Sequence, residues 1–244
     1  MTANKKIPFF RLLKNVPFLQ KVAGTLYGRK YARLQCSLLG MTFDSPVGVS
    51  AGIDKNGEYT DVVSCFSPSF IEIGPVRDVK LAIHNLKKRK SKIKVFANLS
   101  KNKDLQRNFS LIYDFVDGII LNVSKNSSVS EEIDHLLELR RYNDTYKPII
   151  FKLSQDVDQS SLDEIAEFVL GSGIDAVMTG AESLTNVKEK TLGLVPVIVI
   201  TEISSQERAA LLLDSGADLL AVSNSPLYYG PKLVKQILKS LDKR

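Results

Sequence analysis

The sequence has little cysteine, and what it has is not arranged for chemistry. Only Cys36 and Cys65 occur, with no CxxC pair and no metal-like spacing, which argues against a disulfide framework and against a zinc site; no metal is expected. A reducing cytoplasm suits this usage. No apolar run approaches the roughly 18 residues of a membrane-crossing helix. The N-terminus also lacks an apolar stretch leading to a small-residue cleavage site, so neither export by that route nor an integral membrane position is expected. Low-complexity linkers that would divide the chain are missing too. With 44% hydrophobic and 25% charged residues, the chain can bury a full core and shows no sign of disorder. The formal charge of +6 favours anionic partners such as phosphates or acidic lipid. Nucleic acid is disfavoured, because the basic run from Lys87 to Lys94 has no aromatic platform or recognised motif beside it.

Eight short apolar runs recur: Pro46 to Ser50, Ser69 to Ile73, Ile93 to Asn98, Gly118 to Asn122, Pro148 to Leu153, Ile174 to Met178, Val195 to Ile200 and Ala217 to Val222. Most are apolar on consecutive residues rather than alternate ones, as in strands of a parallel sheet covered on both faces. Between them the period is helical. From Ser160 to Leu170 a serine cap and early acids precede an apolar stripe, and Gly171 follows the last turn. Ser204 to Leu213, ending at Gly216, repeats this order, as do Ser130 to Leu139 and Pro231 to Leu241. Strands alternating with helices predict an α/β chain, a closed (β/α)8 TIM barrel over residues 34–244, with an open doubly wound sheet as the competing arrangement.

Residues 1–33 have a different texture and predict an N-terminal helical extension of two short amphipathic helices broken at Pro17. Lys5, Lys6, Arg11, Lys14 and Lys21 are available opposite the apolar residues. Two readings stay open for residues 5–30: helices packed under the barrel, or helices lying on a membrane surface.

The sharpest signal is Pro46-Val47-Gly48-Val49-Ser50-Ala51-Gly52-Ile53-Asp54-Lys55-Asn56-Gly57-Glu58, followed by Phe70-Ile71-Glu72-Ile73-Gly74. It resembles the signature of the dihydroorotate dehydrogenase family, where a PVG strand runs into AGxDKxGE and the next strand ends in EIG. Asn98-Leu99-Ser100, Leu121-Asn122-Val123-Ser124, Phe151-Lys152-Leu153 and Ser215-Gly216-Ala217-Asp218 follow in register at successive strand ends. The resemblance covers residue 34 to the C-terminus and is to the membrane-associated, quinone-using branch. It implies an FMN flavoprotein oxidoreductase of pyrimidine biosynthesis, cytoplasmic and peripheral at the inner face of the membrane. It further implies FMN contacts from Ala51, Gly52, Lys55, Gly74, Asn98, Asn122 and Lys152, and substrate contacts from Lys55 and Asn122. The positions make physical sense, since barrel active sites lie at the carboxyl ends of the strands. A glycine such as Gly52 lets backbone approach a flavin ring, and a lysine such as Lys152 at the buried end of a strand needs an anionic partner.

The chain departs from the family at four loops. Where the family carries its catalytic serine, this chain has Lys125, with Ser124 one residue earlier as a displaced candidate for the base. The family's long orotate-holding insertion after EIG is replaced by a short basic helix from Asp78 to Lys90. Met178-Thr179-Gly180-Ala181 stands where a TNT motif is expected, and Thr201-Glu202 where a Gly-Gly turn would give its amides to the flavin phosphate. Two functional readings follow: a divergent FMN oxidoreductase whose dihydroorotate oxidation is impaired or lost and whose FMN binding is weak or absent, or a catalytically inactive paralogue, a pseudoenzyme, acting as a binding or scaffold protein.

Overall fold

The computed structural model describes residues 7–28, 31–124, 131–202, 206–223 and 232–243. Helices α1 (Ile7–Asn15) and α2 (Pro17–Tyr27) come first, then a hairpin of β1 (Cys36–Leu38) and β2 (Met41–Phe43). Eight strands follow: β3 (Val47–Val49), β4 (Phe70–Ile73), β5 (Lys94–Leu99), β6 (Gly118–Val123), β7 (Ile149–Leu153), β8 (Ala176–Gly180), β9 (Val197–Thr201) and β10 (Leu219–Val222). Helices between and after them are α3 (Thr60–Ser64), α4 (Val79–Lys88), α5 (Leu105–Ile112), α6 (Glu131–Arg141), α7 (Gln159–Ser172), α8 (Leu184–Lys190), α9 (Gln206–Asp214) and α10 (Lys232–Leu241). All neighbouring barrel strands are parallel, and β10 pairs back onto β3 to close the ring. This is the (β/α)8 barrel anticipated from the apolar runs.

The barrel shows why those runs lack alternation. Phe70, Phe96, Ile120, Ile150, Met178 and Ile198 point inward into one buried cluster, while Ile71, Val95, Ile119, Ile149, Val177 and Val197 pack outward under the helices. Both faces exclude water, so both are apolar. The hairpin β1–β2, which the periodicity did not disclose, stops the amino-terminal end of the barrel: Phe43 packs its ring 6.0 Å from Phe70 and 6.4 Å from Phe96.

Two helix ends differ from the sequence reading. Asp158, not Ser160, caps α7, because its carboxylate reaches the free amide of Ser161 (3.0 Å) while Ser160 is already helical. The helix runs past Gly171 and ends at Gly173, whose φ of 90° is the left-handed conformation a helix stop uses. Ser130, Ser204 and Pro231, expected at the starts of α6, α9 and α10, lie outside the described residues.

Pro17 opens α2 as its first residue, where its missing N–H is not needed. The extension packs against α3 and α10. Phe10 of α1 meets Tyr59 and Phe66 edge-on at either end of α3, with centroids 6.2 Å apart in each case. Tyr27 also reaches Phe66, and Lys235 of α10 donates to the Leu26 carbonyl (2.6 Å). Lys5 and Lys6 are outside the described residues.

Candidate functional site

At the carboxyl ends of β4 to β7 the inward-facing row turns from apolar to polar in a single step. Above Phe70, Phe96, Ile120 and Ile150 stand Glu72, Asn98, Asn122 and Lys152, two residues on along each strand and so on the same face. Glu72 is 0% exposed, and its carboxylate accepts from four groups: Ser50 Oγ (2.9 Å), the Ala51 amide (2.8 Å), Asn98 Nδ2 (2.6 Å) and Lys152 Nζ (2.7 and 2.9 Å). Asn98 and Asn122 exchange hydrogen bonds, 3.2 Å from Asn98 Nδ2 to Asn122 Oδ1 and 2.6 Å the other way. A buried carboxylate is tolerated only when its charge and lone pairs are matched. Here they are, and Lys152 is thereby neutralised within the chain. Its side chain remains 17% exposed toward the mouth.

The loop after β3 is built around Asp54. Its buried carboxylate accepts from the backbone amides of Asn56 (3.2 Å), Glu58 (2.8 Å) and Tyr59 (2.7 Å). Burial pushes its pKa up, against the pull of those three amides. Its carbonyl accepts from the Gly74 amide (2.8 Å), tying this loop to the end of β4. Gly52 (φ 109°) and Gly74 (φ 127°) both hold conformations that side chains resist, and a Cβ at Gly74 would come within 2.7 Å of the Asn98 carbonyl oxygen. Ala51, Gly52, Gly74, Asn98, Asn122 and Lys152 therefore gather at one end of the barrel. Lys55 lies on the same loop but is exposed and makes no hydrogen bond or ion pair with any described residue. Ser124 follows β6 at the rim, half-buried. Lys125 lies outside the described residues, as does everything from 125 to 130.

Over β8 to β10 the mouth has a different character. A cavity of about 400 Å³ straddles the strand ends, bounded by Gln155, Glu182, Thr201, Glu202, Arg208 and Ser223 among others. Glu72 and Glu182 were not singled out from sequence. Glu72 was legible in principle, since a lone acid inside Phe70-Ile71-Glu72-Ile73 has to be paired if the strand is buried. Glu182 carried no such signal, because it follows β8 in an exposed turn. The connection from β4 to β5 is the short basic helix expected, α4, capped by Asp78 onto the Leu81 amide (2.9 Å). Its basic end is engaged structurally: Arg89 Nη1 donates to the Ile93 carbonyl (3.0 Å), and Lys94 Nζ to Asp117 (3.3 Å).

No family model matches the chain. Among curated proteins, the dihydroorotate dehydrogenase (quinone) of Coxiella burnetii is 26% identical over 84% of this chain and 83% of its own length. That of Shewanella pealeana is 24% identical over 88% of each. The chain is similar to quinone-dependent dihydroorotate dehydrogenases. The aligned length with the Coxiella dihydroorotate dehydrogenase, 288, exceeds the 244 residues of this chain, so segments present in that relative are missing here. Solved structures of dihydroorotate dehydrogenase from Eimeria tenella share the fold. The ferulenol complex has a TM-score of 0.74 at 16% identity, covering 95% of this chain and 90% of that one; the ligand-free structure has a TM-score of 0.73.

Proposed function

We propose that this protein is a divergent dihydroorotate dehydrogenase-like protein in which FMN-dependent oxidation of dihydroorotate is impaired or lost. One observation carries the reading: the cavity over β8 to β10 is bounded by Glu182 and Glu202, with Thr201-Glu202 standing where the family's Gly-Gly turn gives backbone amides to the flavin phosphate. The fit of FMN is one-sided. Gly52, Asn122 and the remaining exposure of Lys152 suit a flavin ring, but the opposite half of the mouth presents Glu202 and Glu182 where a phosphate would sit, and like charges at such range repel. At the position of the base this chain has Lys125 in place of the family's serine. Losing general base catalysis alone removes a factor of about 10²–10⁴.

Titrating the purified protein with FMN, then assaying dihydroorotate oxidation with a quinone acceptor, tests this. Weak or absent binding and negligible turnover are expected. Tight stoichiometric FMN binding with turnover would sink the reading. Restoring a serine by Lys125→Ser alone should not bring turnover back, because the substrate-holding insertion would still be absent. The second reading, a binding protein that never takes up flavin, is favoured by the replacement of the family's Gly-Gly turn by Thr201-Glu202, which sets a carboxylate beside the place of the flavin phosphate. A protein that is purified colourless and stays so after flavin titration selects it.

A peripheral membrane role belongs to the same proposal. On α2, Phe18 (70% exposed), Val22 and Leu26 form an exposed apolar row at helical spacing, with exposed Lys21 and Arg11 nearby. No helix among the described residues is long and apolar enough to cross a membrane. The double substitution Phe18→Ser, Leu26→Ser should abolish co-sedimentation with anionic vesicles while leaving the melting curve unchanged. Unaltered sedimentation would remove the role.

A further inference from the structure

The positive charge of this chain is concentrated in one place. Residues 77–94, which hold α4 and the connection to β5, carry eight lysines and arginines and a single acid, Asp78. That is more net positive charge than the +6 of the entire chain, so everything outside the segment is slightly acidic in balance. Little of this charge is used by the fold. Asp78 accepts from the Leu81 amide, Lys87 lies over the Phe115 ring (5.0 Å to its centroid), and Arg89 and Lys94 share Asp117 at 3.8 and 3.3 Å. Asp61, beside the end of α4, accepts from the backbone amides of Lys90 (3.0 Å) and Ser91 (2.8 Å) and so fixes the turn. Arg77, Lys80, Lys88, Lys90 and Lys92 are exposed, and their side chains make no hydrogen bond or ion pair with any described residue. Lys80, His84 and Lys88 recur every four residues, which sets them along one exposed face of α4. Like charges gathered without counter-ions repel one another and attract a polyanion.

The neighbours of this row decide which polyanion. Lys88, Arg89 and Lys90 bound a cavity of about 310 Å³ together with Lys14, Pro17 and Gln20 at the corner between α1 and α2. Pro17 leads directly into Phe18, the first of the exposed apolar residues Phe18, Val22 and Leu26. Cations and exposed apolar side chains bordering one depression suit an anionic bilayer, which takes both, whereas a nucleic acid backbone takes the cations alone. We propose that the basic face of α4 docks on an anionic lipid surface, with its lysines against the headgroup phosphates. The proposal deepens the peripheral membrane reading and rests on it. The face is this chain's own, because it occupies the stretch that the family gives to its substrate-holding insertion.

The test is co-sedimentation of the full-length protein, at low and at moderate salt, with vesicles of phosphatidylcholine alone and of phosphatidylcholine mixed equally with phosphatidylglycerol. Binding about tenfold or more tighter to the mixed vesicles is expected, and salt should weaken it. The triple substitution Lys80→Gln, Lys88→Gln, Lys90→Gln should remove that preference, and Lys80→Arg, Lys88→Arg, Lys90→Arg should keep it. Lys103→Gln, Arg141→Gln, Lys243→Gln takes the same charge from exposed residues elsewhere and should leave the preference as it was. An α4 triple that binds as before, or both glutamine triples losing the preference alike, overturns the proposal. So does tighter binding to single-stranded RNA than to the mixed vesicles at the same salt. The outcomes separate the two claims. Release by the α2 double substitution with the α4 triple unaffected removes only the basic face; release by the α4 triple with the α2 variant unaffected supports the face and removes only the apolar row. No binding to either vesicle removes both.

Discussion

At the scale of single residues, the interior charge pair is the feature with most at stake. Removing one partner of a buried pair leaves the other uncompensated, which typically costs about 3–5 kcal/mol. Lys152→Met should therefore lower the urea midpoint by that equivalent without changing the slope. A loss below about 1 kcal/mol would mean that water from the mouth solvates Glu72 once the lysine is gone. Half of this pair was legible: a lysine closing the run Ile149-Ile150-Phe151 demands an anion. A need for pairing could be read at Glu72 as well, but not that the two are each other's partner, because Glu72 is 80 residues away in sequence and only the curvature of the barrel brings them together. A second residue-scale prediction concerns Tyr146, whose phenol donates to Asp175 and lies beside Arg140. Partial burial and the Asp175 carboxylate push its pKa from 10.0 up to about 12. Because the folded state favours the protonated phenol, the contribution is fully present below pH 10 and fades as pH rises toward 12. Tyr146→Phe should flatten the alkaline loss of thermal stability across that window. An unchanged profile would show that Tyr146, 60% exposed, titrates as it does in the unfolded chain.

At the scale of elements, the strands and most helices were readable because period survives averaging over a segment, whereas helix ends depend on one side chain. Asp158 and Ser160 are both cap-type residues two positions apart, and only the geometry shows which oxygen meets the free amide of Ser161. Asp158→Ala should cost about 1 kcal/mol in thermal melts, and Ser160→Ala much less. If Ser160→Ala cost more, the cap would be misassigned. The hairpin β1–β2 escaped notice for a different reason: strands of three residues carry too few positions to show alternation. Its energetic weight is nevertheless that of core. Phe43→Ala should lose about 3–5 kcal/mol by opening a cavity against Phe70 and Phe96. A loss under 1 kcal/mol would show that the hairpin collapses into the space.

At the scale of the whole molecule, closure depends on the pairing of Leu220 with Val47, which joins the last strand to the first across most of the chain. A chain ending at residue 215 would lack β10 and leave the edges of β3 and β9 unpaired. Such a truncation should lose its cooperative unfolding transition. A sharp transition retained by the truncated chain would mean that an open sheet is stable alone. The apolar runs alternating with helical periods made the barrel legible from the outset, and the departures at its rim loops were legible against the family signature, whereas the meeting of Glu182 and Glu202 at one cavity was not, because only the fold brings those two loops together. The apolar floors below that rim have a consequence for descent. Phe70, Phe96, Ile120, Ile150, Met178 and Ile198 form the apolar floor and none of them bounds the rim cavity, whose lining is polar apart from Leu153, Gly180, Ala181 and Ile200. Stability and recognition thus sit on separate storeys, so a lineage can exchange one ligand for another at the top without passing through an unfolded intermediate sequence.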